Sequence, residues 1–250
     1  MIDKAEIKCR FKRSVNSYEE NAPVQKRIAD HLCELLQSAL DYRPERVLEI
    51  GCGTGLLTRN IQTLTKEKGL YVNDLVEEMC LTTATRYDLP LSHCLVGDIE
   101  ELPLPGEFDL LVSASTFQWF ASPYETFHKL ASHLRKDRLL VFSTFGPRNM
   151  TELRQFATNG LHYLSREELS FCLSHDFEIL SFEEQTDKLY FPKAVEVLRH
   201  LKKTGVNAGS TDRHWTKRTL EYFSRCYEKD AMKDSFPLTY HPFYLICRKK

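Results

Sequence analysis

The sequence predicts an α/β protein built on a doubly wound, mostly parallel sheet of seven strands. Two observations predict it. Short apolar runs that suit buried strands alternate with segments of helical apolar spacing from residue 47 to residue 145. Within this alternation, residues 47–55 form a strand followed by a glycine-rich turn. Turns of this kind place backbone against a ligand at the carboxyl edge of a parallel sheet. We therefore expect a ligand site at that edge.

The composition limits the classes of protein to which the chain can belong. The chain has 250 residues, 42% hydrophobic and 28% charged residues and a formal net charge of −1, so no global field favours nucleic acid or a membrane. Its N-terminus lacks the apolar segment of a signal peptide, and no run is long enough to span a bilayer. The eight cysteines are scattered, without Cys-x-x-Cys spacing, and the histidines show no ligand spacing. We expect a cytoplasmic, monomeric protein with reduced thiols and no metal ion.

The glycine turn is the strongest single motif. A buried strand, Val47–Ile50, precedes glycines at Gly51, Gly53 and Gly55. This spacing is Gly-x-Gly-x-Gly and departs from the Gly-x-Gly-x-x-Gly pattern that binds the pyrophosphate of dinucleotides. The acidic Glu49 before the turn favours a ligand that carries a cationic or amine group. The alternative is an ordinary tight turn of an α/β protein.

Two acids follow the next two predicted strands. Asp74 ends the strand 70–74 and lies 23 positions after Gly51, where nucleotide-binding units place a carboxylate for ribose hydroxyls. Asp98 ends the strand 93–99, where it can accept a hydrogen bond from an exocyclic amine while Ile99 packs on a flat ring. An acid at the end of one strand is common by chance. Together with the glycine turn, the acids favour a nucleoside ligand.

The remaining elements are predicted as follows. An arm over 8–20 carries aromatic residues, and a helix with apolar spacing follows over 24–40. The apolar strand 108–114 ends in an aromatic loop, 115–120, which is followed by a helix over 124–134 and a strand over 138–145. Another helix starts at Met150, and Ser165 with Glu168 forms a capping box. A strand is expected over 177–182, a basic amphipathic helix over 195–203, a second helix over 215–227 and a last strand over 240–247.

These elements divide one domain of residues 1–250 into four parts. Residues 1–42 form an N-terminal helical arm, 43–185 the cofactor-binding core, 186–235 a helical insertion on the substrate side and 236–250 the last strand.

Several motifs beyond the glycine turn resemble those of one enzyme family. The N-terminal arm, the aromatic loop, strand five, the insertion and the C-terminus contribute Phe11-x-x-Ser14-Val15-x-x-Tyr18, Gln25, Phe117-Gln118-Trp119, Phe142-Ser143-Thr144-Phe145-Gly146-Pro147, Leu198-x-x-Leu201-Lys202-x-Thr204-Gly205-Val206-Asn207-Ala208 and Pro237-Leu238-Thr239-Tyr240-His241. With the glycine turn, they resemble class I S-adenosylmethionine-dependent methyltransferases, and specifically the malonyl-[acyl-carrier protein] O-methyltransferase family of biotin synthesis. One departure is Arg135-Lys136-Asp137-Arg138, where the family usually has a Pro-Gly-Gly-type turn.

The resemblance implies a reaction and a set of site residues. The reaction is transfer of a methyl group from S-adenosylmethionine to the free carboxylate of malonyl on acyl-carrier protein, so that the masked chain can be elongated toward pimelate. The implied residues for the cofactor are Tyr18, Gln25, Glu49, Gly51, Gly53, Asp74, Leu75, Asp98, Ile99 and Ser115. Those implied around the reacting groups are Tyr18, Gln118, Trp119 and Arg148.

Physical chemistry narrows what the site needs. A carboxylate is ionised at pH 7, so attack on a sulfonium methyl needs no general base, and poorly solvated aromatic walls favour the transition state. Arg148 is the candidate to grip the malonyl carboxylate, and the alternative is a solvated loop arginine.

Recognition of the carrier protein points to a separate surface. Acyl-carrier proteins are acidic, so Arg199, His200, Lys202 and Lys203, with Arg213, Lys217 and Arg218 nearby, are expected to form a docking face. The alternative is the solvated face of an amphipathic helix.

Two other functions stay open at this point. One is another small-molecule carboxyl or hydroxyl methyltransferase, which need not have the insertion. The other is a non-catalytic module that binds the cofactor.

Overall fold

The structure, a computed structural model, describes residues 3–15, 17–66, 69–156, 161–205 and 216–250. Its centre is a seven-stranded sheet in the order β3-β2-β1-β4-β5-β9-β6. The parallel strands are β1 (Val47–Ile50), β2 (Leu70–Asp74), β3 (Cys94–Val96), β4 (Phe108–Ala114) and β5 (Leu134–Phe145). Strand β9 (Pro242–Lys249) runs antiparallel between β5 and β6 (Phe177–Glu184). The predicted seven-stranded, mostly parallel sheet is confirmed.

Helices cover both faces of this sheet because alternate strand residues are apolar on both sides. The described helices are α1 (Lys4–Ser14), α2 (Tyr18–Asn21), α3 (Pro23–Ala39), α4 (Thr58–Ile61), α5 (Glu77–Arg86), α6 (Pro123–Ser132), α7 (Arg166–Leu173), α8 (Ala194–Lys203) and α9 (Lys217–Cys226). One core packs α3, α8 and α9 against residues such as Leu110 and Val141. The other packs α6 and α7 against their neighbours Leu111 and Leu140. None of the helices within the described residues has the length and apolar character needed to cross a membrane.

Helices α3 and α7 begin where the sequence predicts. The predicted helix over 24–40 is α3, which begins with Pro23 at its first turn, a position where proline costs no hydrogen bond. Helix α7 begins at the predicted capping box: the Ser165 hydroxyl accepts from the Glu168 N–H, and the Glu168 carboxylate accepts from the Ser165 N–H. Both elements therefore form where the sequence places them.

Four predicted elements differ in extent. The helix after the glycine turn is reduced to the single turn α4, and β3 is shorter than predicted. The segment after Met150 is a 3₁₀ helix over Thr151–Phe156. Strand β5 begins at Leu134, and Asp137 adopts a positive φ of 61°. Asp137 thus takes the left-handed conformation that glycine would otherwise supply in the family's usual turn.

The insertion and the last strand were predicted wrongly in part. Residues 186–235 are not wholly helical, because they contain the strand β7 (Asp187–Phe191). It pairs antiparallel with β8 (Phe236–Tyr240) in a separate two-stranded sheet. The predicted single last strand is therefore two strands, β8 and β9, which join different sheets at His241. Residues 206–215, with part of the predicted second helix, lie outside the described residues.

Candidate active site

Two adjoining cavities lie at the carboxyl ends of the parallel strands β1, β2, β3 and β4. The larger has an open volume of about 770 Å³ and is lined by Lys4, Ile7, Phe11, Tyr18, Gly51, Gly53, Asn73, Asp74, Leu75, Val76, Met79, Gly97, Asp98, Ile99, Ala114, Ser115, Thr116, Trp119 and Phe120. The smaller, of about 340 Å³, is lined by Tyr18, Gln25, Ala29, Glu49, Gly51, Cys52, Gly53, Thr54, Leu56, Leu57, Ala114 and Ser115. The two share five residues across the glycine turn. They therefore suit the two ends of one elongated ligand.

The glycine turn separates the cavities with bare backbone. Gly51 has a φ of +70°, and a Cβ there would come within 2.1 Å of the Thr116 Oγ1. No other residue type fits this position without displacing the loop after β4. Gly53, at φ +53°, has no heavy atom within 4 Å of an added Cβ, so this part of the turn faces open space. A ligand can therefore approach the backbone at Gly53 closely.

Asp74 joins the turn to the end of β2. Its Oδ2 accepts a hydrogen bond of 2.9 Å from the Gly53 N–H, and its Oδ1 accepts one of 2.8 Å from the Val76 N–H. Burial raises the pKa of this carboxyl to about 6, although the backbone N–H groups of Val76, Gly53 and Leu75 oppose the rise. Each oxygen retains a lone pair, so the carboxylate can hold the turn and still accept from two ligand hydroxyls.

Glu49 lies in the smaller cavity and is 1% exposed. Its Oε2 accepts a hydrogen bond of 2.6 Å from the Thr58 hydroxyl. Burial raises the pKa of Glu49 to about 8, the hydrogen bond from Thr58 lowers it, and the charge of Asp74 raises it further. A carboxyl in this state favours a cationic ligand group, which would stabilise its ionised form.

The smaller cavity contains buried polar atoms that lack a partner. They are the Gln25 Oε1, the Thr54 Oγ1 and the Ser115 Oγ, and all three residues line this cavity. Leaving such groups unsatisfied costs free energy in a folded protein. Polar ligand atoms would satisfy them. The residues therefore fit the amino-acid end of S-adenosylmethionine.

An aromatic wall stands where the arm meets the loop after β4. The ring centroid of Phe11 lies 6.5 Å from that of Tyr18 and 5.7 Å from that of Trp119, both in edge-to-face geometry. Burial raises the pKa of the Tyr18 hydroxyl above its usual value, so the phenol stays protonated. Aromatic faces attract cations, including a sulfonium.

Gln118 does not line either cavity. Its Nε2 donates a hydrogen bond of 2.5 Å to the Ser115 carbonyl, and its Oε1 accepts one of 3.5 Å from the Thr144 hydroxyl. Ser115 itself has a φ of +56°, which is uncommon for a side chain other than glycine or asparagine. Gln118 thus supports the loop conformation that presents Ser115 to both cavities.

Asp98 lines the larger cavity but already has a partner. The Lys4 Nζ lies 3.2 Å from Asp98 Oδ2 and 2.5 Å from Glu100 Oε2. Helix α1 is thereby tied to the loop after β3, and it covers the cavity with Ile7 and Phe11. Ile99 also lines the larger cavity, and its packing on a flat ring stays a prediction.

Arg148 lies outside both sets of lining residues. Its guanidinium contacts the Glu184 carboxylate at 2.5 Å and His241 Nε2 at 2.9 Å, and its side chain is 59% exposed. It follows β5, as predicted, but the structure does not bring it to a cavity.

The basic helix α8 differs from its prediction at one position. Arg199, Lys202 and Lys203 are exposed, but His200 is buried, and its Nε2 lies 2.8 Å from the Tyr240 hydroxyl. Burial, and secondarily Lys203, lowers the pKa of His200 to about 4. The prediction that His200 contributes charge to a docking face is therefore wrong.

The other expected contributors lie on α9 or beyond the described chain. Lys217 and Arg218 at the start of α9 are exposed. Arg213 and the motif residues 206–208 lie outside the described residues.

Sequence reasoning missed part of the lining. Lys4, Ile7, Val76, Met79 and Thr116 all face the larger cavity. Ile7 and Met79 lie on helices, where they match ordinary packing residues, and Val76 is the extended residue before α5. Two signals were available: the apolar residues Ile7 and Phe11 on α1, and the loop 115–120 that contains Thr116.

The described residues also hold one surface group of metal-type donors, away from the cavities. Asp176 accepts from His128 and His175, with both Nδ1 atoms within 3.1 Å of its carboxylate oxygens. These side chains satisfy one another's hydrogen bonds.

The fold and the glycine-centred site define a class I methyltransferase. Residues 48–142 match the family described as a methyltransferase domain. A solved structure of the N-methyltransferase NodS from Bradyrhizobium japonicum, in complex with S-adenosyl-L-homocysteine, superposes with a TM-score of 0.59. The two are 13% identical over 97% of this chain and 98% of the other. At 13% identity, this similarity shows a shared fold and nothing more.

Similarity over full length narrows the class. The malonyl-[acyl-carrier protein] O-methyltransferase of Bacteroides thetaiotaomicron is 37% identical over 100% of this chain and 99% of its own. That of Calditerrivibrio nitroreducens is 38% identical over 96% of this chain and 94% of its own. This chain belongs to the malonyl-[acyl-carrier protein] O-methyltransferase family.

Proposed function

We propose that this protein transfers a methyl group from S-adenosylmethionine to the free carboxylate of malonyl-[acyl-carrier protein]. The observation that carries the proposal is the pair of cavities joined across the glycine turn, with unpartnered polar atoms at one end and an aromatic wall beside the other. The names of the relatives supply the acceptor. We place the reaction in the cytoplasm, carried out by a monomer, as the step that primes pimelate synthesis for biotin.

The residues of the two cavities divide the cofactor between them. In the smaller cavity, Glu49 and the Gln25 Oε1 would accept from the methionine amine, and Ser115 would bond the same end. In the larger cavity, Asp74 would accept from the ribose hydroxyls. The remaining nucleoside contacts of the larger cavity come from Leu75, Ile99 and Asp98, with Asp98 accepting from the adenine amine. When bound, S-adenosylmethionine supplies a sulfonium methyl that a nucleophile can take.

The chain's own residues need only position the acceptor and exclude water. The malonyl carboxylate is ionised at neutral pH, so no general base is required. Tyr18 and Trp119, each in edge-to-face contact with Phe11, form a wall that keeps the reacting charges poorly solvated. Because the Tyr18 phenol stays protonated, it can donate a hydrogen bond to the incoming carboxylate. Positioning of the two groups supplies much of the remaining rate enhancement.

The exposed cations of α8 support docking of an acidic carrier protein. Within the described residues, Arg199, Lys202 and Lys203 form no ion pair and are exposed on one helix. Lys217 and Arg218 extend the positive charge onto α9, which packs beside α8. Positive charge of this kind accelerates encounter with an acidic partner.

The decisive experiment uses purified protein, labelled S-adenosylmethionine and malonyl-[acyl-carrier protein]. We expect label on the carrier protein as a base-labile methyl ester, and far less label with the Asp74→Ala variant. Transfer to free malonate at an equal rate would overturn the role of the carrier protein. If the protein binds the cofactor but transfers no methyl group to any malonyl substrate, the assignment of malonyl as the acceptor is wrong.

A further inference from the structure

A group of metal-type donors lies on the surface where helix α6 meets the turn between α7 and β6. His128 belongs to α6, and His175 and Asp176 are the last two residues before β6. The His128 Nδ1 lies 3.1 and 3.0 Å from the two carboxylate oxygens of Asp176, and the His175 Nδ1 lies 3.0 Å from the Asp176 Oδ1. Two imidazoles and one carboxylate therefore converge on one point of the surface.

These distances match those between the ligands of a single metal ion. Zinc binds histidine nitrogen and carboxylate oxygen at about 2.0–2.2 Å, so two of its ligands at tetrahedral or octahedral angles stand about 3 Å apart. The nitrogen–oxygen distances in this group already have that value. The ligand atoms of all three residues lie within 4.8 Å of one another. A small rotation of an exposed ring is enough to bring them onto one ion.

The hydrogen bonds within the group do not prevent coordination. An ionised carboxylate only accepts, so each Nδ1 donates to Asp176. A neutral imidazole can carry its hydrogen on Nε2 instead, and Nδ1 is then free to bind a metal. The side chains of His128 and His175 are 61% and 62% exposed. Water can therefore reach both rings and fill the remaining coordination positions.

The carboxylate is the fixed member of the group. The side chain of Asp176 is 17% exposed, far less than either imidazole. Its backbone carbonyl also accepts a hydrogen bond of 3.0 Å from the Lys250 N–H, which holds the turn before β6 in place. The two mobile rings thus meet at a charged ligand that is already positioned.

An aromatic contact one helical turn earlier sets the spacing of the two histidines. Tyr124 lies one turn before His128 on α6, and Phe171 on α7 lies one turn before His175. The rings of Tyr124 and Phe171 stack with their centroids 6.3 Å apart, and the two imidazoles meet edge to face at 5.6 Å. Ligands that are held together before the ion arrives need little further ordering, which favours binding.

We propose that His128, His175 and Asp176 form a binding site for a divalent transition-metal ion such as Zn²⁺. Imidazole ligands suit zinc, copper and nickel, whereas magnesium and calcium prefer oxygen ligands. A bound ion connects α6 to the turn before β6 and so stabilises the folded chain. The site departs from the expectation of no metal ion, which rested on spacing along the sequence. It is separate from the two cavities and does not depend on the proposed function.

The test measures metal binding to the purified, untagged protein by calorimetry. Zinc chloride and magnesium chloride are compared at about pH 8, because metal ions bind the neutral imidazole. The wild type should bind about one zinc ion per chain and no magnesium. His128→Ala and His175→Ala should each raise the dissociation constant for zinc at least about tenfold. The matched control is His162→Ala, at an exposed histidine 3.3 Å from Glu168, which should leave that constant unchanged.

Thermal denaturation separates a lost ligand from a damaged fold. Without zinc, His128→Ala should melt at the same temperature as the wild type, because the replaced side chain is exposed. Added zinc should raise the melting temperature of the wild type and of His162→Ala, since a ligand that binds only the folded state stabilises it. It should not raise that of His128→Ala.

Three outcomes would overturn the inference. The first is that the wild type binds no zinc at millimolar concentration. The second is equal zinc affinity of the wild type and the double variant His128→Ala/His175→Ala, which would place the ion elsewhere. The third is equal affinity for zinc and magnesium, which would indicate binding to carboxylates alone. None of them affects the proposed methyl transfer, because the three residues line neither cavity.

Discussion

The Thr58 hydroxyl donates a hydrogen bond of 2.6 Å to Oε2 of Glu49 at the base of the smaller cavity. Glu49 is buried, and burial raises its pKa to about 8. In the ligand-free protein at pH 7 this carboxyl is therefore mostly protonated. A cationic ligand amine beside Glu49 would favour the ionised carboxylate.

The first prediction concerns cofactor binding and pH. Below pH 8 the bound amine should draw a proton off Glu49, so the affinity for S-adenosylhomocysteine should rise between pH 6.5 and pH 8. The slope should approach tenfold per pH unit at the lower end. Calorimetry in buffers of different ionisation enthalpy would count the released proton. In Glu49→Gln the affinity should be lower and nearly independent of pH over this window, and a pH-dependent Gln variant would contradict the assignment.

The second prediction concerns stability without ligand. The pKa of Glu49 is about 8 in the folded protein against an ordinary value of 4.5. The folded state therefore holds this proton more tightly, and the contribution of Glu49 to stability is lost as the pH rises from 4.5 to 8. Glutamine does not titrate. The melting temperature of Glu49→Gln relative to the wild type should increase by about 5 °C or more from pH 5 to pH 8, measured by thermal denaturation. A constant difference would contradict this.

The third prediction tests Asp74. Its carboxylate anchors the glycine turn through Gly53 and is assigned to the ribose hydroxyls. Asp74→Ala should raise the dissociation constant for S-adenosylhomocysteine about 100-fold, because charge-assisted hydrogen bonds are lost at a buried site. Asp187→Ala is the control, since that carboxylate pairs with Arg27 on the surface. Unchanged affinity in calorimetry would remove Asp74 from the site.

The fourth prediction tests Arg148. The arginine is paired with Glu184, so it can reach a malonyl carboxylate only by leaving that partner. Arg148→Ala should raise the Michaelis constant for malonyl-[acyl-carrier protein] about tenfold without changing the S-adenosylhomocysteine affinity. Glu184→Gln should lower the Michaelis constant, because it weakens the competing pair. If both variants have wild-type kinetics, Arg148 serves only to connect the strand ends.

The fifth prediction tests the docking surface. Lys202→Glu and Lys203→Glu should each raise the Michaelis constant for malonyl-[acyl-carrier protein] several-fold at low salt, and added salt should reduce the difference. Neither substitution should change the Michaelis constant for malonyl-coenzyme A, because this substrate has no carrier protein that could dock. Lys136→Glu is the control, an exposed lysine near the start of β5, at the opposite edge of the sheet. If Lys136→Glu raises the Michaelis constant equally, the effect comes from the net charge of the protein and not from a docking surface on α8.

Much of the central sheet could be predicted from the local pattern of apolar residues. The apolar runs that became β1, β2 and β4 are recognisable because buried parallel strands are apolar on both faces. Gly51 and Asp74 could be predicted as neighbours because parallel strands bring their carboxyl ends to one edge. The structure places both in the lining of the larger cavity. The chain reversal at β7 and β8 could not be predicted, since the pairing partners are separated by more than forty residues.

By itself, the sequence determined the sheet, the glycine turn and the acids that follow successive strands. These depend on side-chain periodicity and on residues close in the chain. Only the tertiary structure decided the burial and charge of His200. The sequence of its helix predicts a surface cation, but the side chain is buried against Tyr240. It also decided the partners of Lys4 and Arg148, which lie 94 and 36 positions away at Asp98 and Glu184. Charge and hydrogen-bond direction depend on burial and on distant neighbours, and those exist only once the chain has folded.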